Sequence, residues 1–236
     1  MYDFKGKTIV VSGASGGMGS ILCERLAAKG AKLALCSLDK EGLEKLAENL
    51  KKYDTEVYTK VVDVTNEDEV KAFIEESASK LGKFSGLANL AGLSIPGQIP
   101  ETPVESYDLM LDVNVKGDFL MSKHFANNTC EEGAIIVNIG SMAAINANGN
   151  APLYCTAKAA VNMLSKGMLI QLGKKNIRVS TVNPGGADTA FWGTRTVDKT
   201  KLMQVEDVVN VIEFVLCSDP KIQIHEISFE SFARFN

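Results

Sequence analysis

Cysteine occurs without any pairing pattern: Cys23, Cys36, Cys130, Cys155 and Cys217 are scattered over 236 residues, with no C-x-x-C pair. This spacing supports neither a disulfide framework nor a structural zinc site, so the thiols read as reduced side chains. Histidine is scarcer still, with only His124 and His225, which read as structural or surface residues, and no metal is expected. There is no basic run, and the formal net charge is -4. A general nucleic-acid binder is therefore not expected, because backbone phosphates require clustered Lys and Arg. No stretch reaches the roughly 18 uncharged apolar residues of a membrane span, and MYDFKGKT lacks the apolar core of a secretory signal. The expectation is a cytoplasmic protein acting on a small molecule, with no nucleic-acid or membrane partner.

What is present is an ordinary globular balance, 45% hydrophobic and 23% charged, on a chain long enough to bury a substantial core without staples. A single domain over residues 1–236 is expected. Short β-branched runs alternate with amphipathic segments, the pattern of βαβ units and a parallel sheet. Seven strands are predicted: TIVVS (8–12), KLALCS (32–37), EVYTKVVDV (56–64), GLANLAG (86–92), AIIVNIGS (134–141), IRVSTVNP (177–184) and IQIHEISF (222–229). Helical spacing predicts helices over 18–29, 41–52, 67–81, 104–127, 153–175 and 206–217. Thr65 suits the N-cap of the 67–81 helix and Gly82 its end. Residues 185–204 are the least regular stretch, and a connection of that length is usually functional, often a lid.

The first strand runs into SGASGGMGS. A strand, a glycine-rich turn and a helix together place free N–H groups and the positive end of a helix dipole on one spot, which suits a pyrophosphate. Two spacings fit, through Gly13, Gly17 and Gly19 or through Gly13, Gly16 and Gly19, and glycine turns after strands also arise for structural reasons alone. An acid about 20 residues on would hold a ribose hydroxyl. Asp39 has nearly that offset, but it stands past the strand end at Cys36-Ser37, where capping the next helix is the favoured role.

A second constellation lies in NIGSMAAINANGNAPLYCTAKAAV. A strand ends near Ser141, and thirteen residues later Tyr154 is followed at i+4 by Lys158. On a helix these two share a face. A nearby cation favours phenolate and brings a tyrosine toward acid/base use at working pH, while a serine at an adjacent strand end can polarise a carbonyl oxygen. A Tyr-Lys pair at this spacing also occurs by chance on amphipathic helices, so its weight comes from the glycine turn at the first strand.

With these motifs the sequence closely resembles the classical short-chain dehydrogenase/reductase (SDR) family over essentially its whole length. The family's T-G-x-x-x-G-x-G appears as Ser12-Gly13-Ala14-Ser15-Gly16-Gly17-Met18-Gly19, and its N-N-A-G as Asn89-Leu90-Ala91-Gly92. Its catalytic asparagine, serine, tyrosine and lysine match Asn114, Ser141, Tyr154 and Lys158. The resemblance implies a doubly wound Rossmann fold with helices on both faces of the sheet, and it selects Gly13, Gly17 and Gly19 as the phosphate loop. Gly16 then stands where several NADP-using relatives carry a basic residue. Further nucleotide contacts are implied for Ser12, Ser15, Gly16, Met18, Ser37, Leu38, Asp63, Val64, Asn89, Ala91, Gly92, Tyr154, Lys158, Pro184, Gly185 and Thr189.

The implied chemistry is hydride transfer between a nicotinamide and a carbonyl or secondary alcohol. Ser141 would hold the substrate oxygen and Tyr154 would protonate it. Lys158 would lower the tyrosine pKa and bond the nicotinamide ribose, and Asn114 would hold a relay water. The family separates NAD from NADP by charge at the second strand tip; here that place is Ser37-Leu38, with Lys40 or Arg195 in possible reach, so NADP(H) is favoured over NAD(H). The pocket is expected to be lined by Leu93, Ile95, Met142, Ala144, Ile145, Asn148, Leu153, Phe191 and Trp192, unless Phe191 and Trp192 simply pin the lid. The ending IHEISFESFARFN departs from the V-D-G-G common in relatives and speaks against the 3-oxoacyl reductase branch, which stays an alternative beside a non-catalytic NAD(P)-binding regulatory protein. A homodimer or homotetramer is expected, with helices 104–127 and 153–175 at the interface.

Overall fold

The structure is a computed structural model describing residues 3–193 and 196–235; Arg195, expected near a 2′-phosphate, lies outside the described residues. The chain runs β1 (Thr8–Ser12), α1 (Gly17–Ala28), β2 (Lys32–Ser37), α2 (Lys40–Leu50), β3 (Val57–Val61), α3 (Glu67–Leu81), β4 (Phe84–Asn89), α4 (Val104–Leu111), α5 (Gly117–Phe125), β5 (Ala134–Ile139), α6 (Pro152–Leu172), β6 (Ile177–Pro184), α7 (Val205–Leu216) and β7 (Glu226–Phe229). The seven strands form one sheet in the order β3-β2-β1-β4-β5-β6-β7, and every neighbouring pair is parallel. β1, β4 and β5 are buried along their whole length. They show no in-out alternation of burial because helices cover both faces.

Side-chain alternation along the strands divides the core in two. Leu33 and Leu35 of β2 point to the layer of α1, α2 and α7, packed with Leu22, Leu26, Leu46, Val208 and Ile212. Ala34 and Cys36 point to the layer of α3, α5 and α6, with Phe73, Ile74, Leu120, Phe125 and Met168. The chain winds outward through β2 and β3, then returns across β1 to start the other half at β4. Strand order therefore reverses between β1 and β4, which puts a crevice at their C-terminal ends.

Three local expectations are corrected. α3 is capped by Asn66, whose side chain accepts from the Asp68 and Glu69 N–H groups; Thr65, the expected cap, instead donates both its N–H and hydroxyl to Asp63 Oδ1. That turn also ends β3 before Asp63. The single helix expected over 104–127 is broken by a π-helical turn, Asp112–Lys116, because the Asn114 side chain donates to the Met110 carbonyl at 2.9 Å and competes with the backbone ladder. The last strand is limited to Glu226–Phe229. Before it, side chains take the backbone carbonyls, with Ser180 and Gln223 both donating to Ile224 O.

Across the sheet centre runs a buried polar line. Asn89 Nδ2 donates to Asn138 Oδ1 at 2.8 Å and to Ser122 Oγ at 3.3 Å, and Asn138 Nδ2 donates to Ser165 Oγ at 2.8 Å. Such groups inside a core are tolerated because each is paired. Asn138→Ala takes away one of the two acceptors of the Asn89 amide and the donor to Ser165, and the expected loss is about 1–3 kcal/mol in denaturant unfolding. An unchanged midpoint and slope would contradict this role for the line.

Candidate active site

The glycine turn is shaped by contact on one side and left open on the other. Gly13 has φ +63°, and a methyl group there would lie 2.8 Å from Ala91 N and 2.9 Å from Leu90 C, so β1 and the turn after β4 touch backbone to backbone. A methyl at Gly19 would come within 2.4 Å of Gly13 O. At Gly17 it would meet only Thr189 Cγ2, at 3.7 Å. The chain itself thus excludes side chains at Gly13 and Gly19, while Gly17 leaves space between the turn and Thr189. Gly16 is the N-cap of α1, with no side-chain cap and no acidic residue in the first turn, so the first N–H groups and the dipole are available to an anion. Ser12 and Asn89 stand behind this turn: the Ser12 hydroxyl, itself buried, accepts from Leu90 N at 3.2 Å and Ala91 N at 3.4 Å.

Ser141 follows β5 and is held from below. Its N–H donates to Asn183 Oδ1 at 3.0 Å, and Asn183 Nδ2 donates to Glu226 Oε1 at 2.8 Å. A methyl at Gly140 would lie 1.8 Å from Asn183 Oδ1, so glycine is required there. The Ser141 hydroxyl accepts from Ala143 N at 3.1 Å and starts a 3-10 turn, Met142–Ala144. α6 begins with Pro152 at its first position, where the missing N–H is harmless, and its next turns carry Tyr154 and Lys158. Lys158 Nζ is 5.8 Å from the Tyr154 ring centroid and donates to Ile139 O at 2.7 Å. Asn114 is fully buried; its amide donates to Leu93 O and Met110 O, both at 2.9 Å, while its Oδ1 has no partner among the described residues.

Ser141 and Tyr154 share the wall of a cavity of about 680 Å³ with Met18, Pro184, Gly185 and Thr189. Of the residues expected in the pocket, Met142, Asn148, Phe191 and Trp192 line it; Leu93, Ile95, Ala144, Ile145 and Leu153 do not. The 3-10 turn after Ser141 presents Ala143 to the cavity, while Ile145 is exposed at 52%. Asn146, Ala147 and Gly149 take up that wall, and Lys201, Asp198 and Arg234 reach the mouth. The irregular segment folds back on itself, with Ala187 bridged to Met203 and Asp188 paired to Lys199. Trp192 donates to Ala187 O at 2.7 Å and its ring covers Gly186, whereas the Phe191 ring lies 5.6 Å from that of Tyr154. One aromatic therefore pins the segment and the other forms part of the site.

At the second strand tip, Asp39 caps α2 by accepting from Gly42 N at 3.0 Å. Ser37 Oγ lies 2.7 Å from Ser15 Oγ, joining this tip to the glycine turn. Leu38 is exposed, Lys40 pairs with Glu44, and Val64 is buried. The Cys23 and Cys36 thiols are pushed up by burial, which leaves them inert. Burial also holds the Lys158 ammonium pKa down, with the Asp118 carboxylate pulling it back up. Burial likewise pushes the Asp118 carboxyl up, with Lys158 opposing. Sequence reasoning missed Asp118, Asn138 and the anchoring by Asn183. A polar residue inside an apolar helix or strand was the only available signal.

A family model described as short chain dehydrogenase matches residues 7–200. An oxidoreductase of Staphylococcus saprophyticus is 30% identical over 97% of this chain and 98% of its own. The short-chain dehydrogenase/reductase of Serratia marcescens superimposes with a TM-score of 0.90 at 26% identity, covering 98% of both chains. An alcohol dehydrogenase of Thermococcus sibiricus, solved with 5-hydroxy-NADP, shares the fold at 23% identity and a TM-score of 0.89, over 96% of this chain and 97% of its own. The chain belongs to the short-chain dehydrogenase/reductase family and is an oxidoreductase. Among the described residues no helix is long and apolar enough to cross a membrane, and none of their His, Cys, Asp and Glu side chains group as a metal site.

The two glycines separate fold from binding. Gly17→Ala should leave stability within about 1 kcal/mol while weakening nucleotide binding, and Gly19→Ala should destabilise the chain by about 1–3 kcal/mol through overpacking. Calorimetry and a nucleotide titration on both variants check this, and the reverse order contradicts the assignment.

Proposed function

We propose that the protein is an NAD(P)(H)-dependent carbonyl reductase or secondary-alcohol dehydrogenase, using Ser141, Tyr154, Lys158 and Asn114. The observation that carries this reading is the cavity beyond the ends of β5 and β6, which has Ser141 and Tyr154 in its wall, Met18 of the open first turn of α1 at its side and Lys158 behind it. The residues fit a nicotinamide nucleotide: Gly17 leaves room below Thr189, no acid caps the first turn, and the Asn114 Oδ1 atom awaits a donor. Gly13, Gly16, Gly17, Met18 and Gly19 would hold its pyrophosphate, Asp63 and Val64 its adenine, and Pro184, Gly185 and Thr189 its nicotinamide. When bound, the nucleotide supplies or accepts the hydride.

Ser141 donates its hydroxyl to the substrate oxygen and fixes its direction. Tyr154 gives that oxygen a proton in reduction and removes one in oxidation. Lys158, close to the ring, favours the phenolate form, so the tyrosine exchanges its proton near working pH. Asn114 holds a water through its Oδ1 and links Lys158 to solvent. Ser15 and Ser37, with the Asp39 carboxylate engaged as the N-cap of α2, support NADP(H) over NAD(H), since a hydroxyl can donate to a 2′-phosphate. The cavity wall is apolar around Met142, Ala143, Phe191 and Trp192, which favours a bulky carbonyl compound.

Val104, Tyr107, Leu109, Phe119, Met163 and Ile170 are exposed on α4, α5 and α6. So many large apolar groups on adjacent helices support a homo-oligomer formed through them. Elution as a monomer at micromolar concentration would contradict that.

A panel of ketones, steroids and 3-oxoacyl thioesters, run with both nucleotides, identifies the substrate class. On the best substrate, Tyr154→Phe should lower kcat by about 10²–10⁴-fold, the range for loss of a general acid, with nucleotide affinity largely kept. Unchanged turnover would sink the mechanism.

A further inference from the structure

Lys158 is only 4% exposed, and its hydrogen bond goes to a neutral carbonyl, Ile139 O. Removing an ammonium from water without a counter-charge drives off its proton, by as much as 3–5 pH units for full burial. A neutral amine would do nothing for a phenolate. On α5, Asp118 is 3% exposed, and no described residue donates a hydrogen bond to its carboxylate. A buried carboxylate without donors is as unfavourable as the ammonium, and the two offset each other only if they are neighbours.

The packing brings their two elements together: α6 lies against the π turn that leads into Asp118. A methyl group at Gly92 would lie 2.9 Å from Asn114 Oδ1 and 3.5 Å from Lys158 Nζ, so the ammonium faces the wall that carries Asn114. Asp118 follows Asn114 by four residues, just after the π turn. Gly117 between them is seated so closely that a methyl there would lie 2.9 Å from Val64 Cγ2, which sets the start of α5 against the turn after β3. Each acts electrostatically on the other: the Asp118 carboxylate pulls the Lys158 pKa up, and Lys158 pulls that of Asp118 down.

The surrounding charges are engaged elsewhere. Glu67 of α3 pairs with Lys123 and His124 on the outer side of α5, and the rest of the α3 charges are at the surface. Lys116 pairs with Asp112, and Glu105 and Asp108 of α4 are exposed. On the α6 side, Lys166 pairs with Glu226, Arg178 of β6 is tied to Ser218, and Lys174 and Lys175 are exposed. β4, β5 and the turn Met142–Ala144 contain no charged residue.

We propose that Asp118 is a positioning residue of the site: its carboxylate is the counter-charge that keeps Lys158 an ammonium ion in the protein interior. Its consequence for turnover rests on the roles given above to Tyr154 and Lys158. The charge pairing itself does not.

The test follows the Lys158 Cε resonance of nucleotide-free, [13C]lysine-labelled protein through a pH titration, assigned with Lys158→Arg, in the wild type, Asp118→Asn and Asp118→Glu. Asp118→Asn should lower the Lys158 titration by about one pH unit or more, at least a tenfold loss of proton affinity, and Asp118→Glu should restore much of it. An unmoved titration in folded Asp118→Asn overturns the proposal. If that variant does not fold, the wild type decides: the Asp118 Cγ and Lys158 Cε resonances should titrate together as a coupled pair, and independent titrations overturn it. On substrate, Asp118→Asn should lose kcat first on the alkaline side, with the nucleotide KM within about threefold. Should Tyr154→Phe keep its turnover, the catalytic reading fails while the Lys158 titration still judges the pairing.

Discussion

The structure depends on one close approach, where β1 and the turn after β4 meet with no side chain between them. Gly13, with φ +63°, lies against Leu90 and Ala91, and the Ser12 hydroxyl accepts both of their N–H groups. Because the sheet reverses its order at this point, the contact fixes both where the crevice opens and how the first turn of α1 is aimed. Gly19, tight against Gly13 O, seats that helix on the turn. The buried line from Asn89 through Asn138 to Ser165 carries the same constraint across to α6, the helix that presents Tyr154 and Lys158. The glycine turn and the helix carrying Tyr154 and Lys158 are thus two ends of one hydrogen-bonded span.

Much of this was legible in the sequence because local signals and global fold agree. β1, β2, β6 and α3 have the expected bounds, set by β-branched runs and by the Asn66 and Gly82 ends. The capping role of Asp39 followed from counting where β2 must stop. What was illegible depends on competition between side chain and backbone, which periodicity does not register. Asn114 opens a π turn by taking the Met110 carbonyl, yet in sequence it is only a polar residue within an amphipathic helix. Thr65 and Asn66 are both good caps, and Asp63 decides between them by taking Thr65 for itself. Ala144 and Ile145 stand outside the cavity for a similar reason: a 3-10 turn after Ser141 brings Ala143 to the wall instead, and no strand or helix period predicts that.

The interior carries more charge than the fold requires. Lys158 and Asp118 are both buried, and a well-packed apolar pair would ordinarily be no less stable. Their retention makes sense if the ammonium has work at Tyr154, with its counter-charge supplied from the helix that also carries Asn114. The π turn then has a double consequence, turning Asn114 inward and setting α5 into the core layer it shares with α6.

The central claim is that the cavity beside Ser141 and Tyr154 is continuous with a nucleotide cradle on the first turn of α1. A crystal structure of the protein with NADP(H) tests it most directly. The account predicts the pyrophosphate against Gly17 and Met18, with the nicotinamide between Gly185, Thr189 and Tyr154. A nucleotide bound elsewhere, or no binding at millimolar concentration, would contradict it.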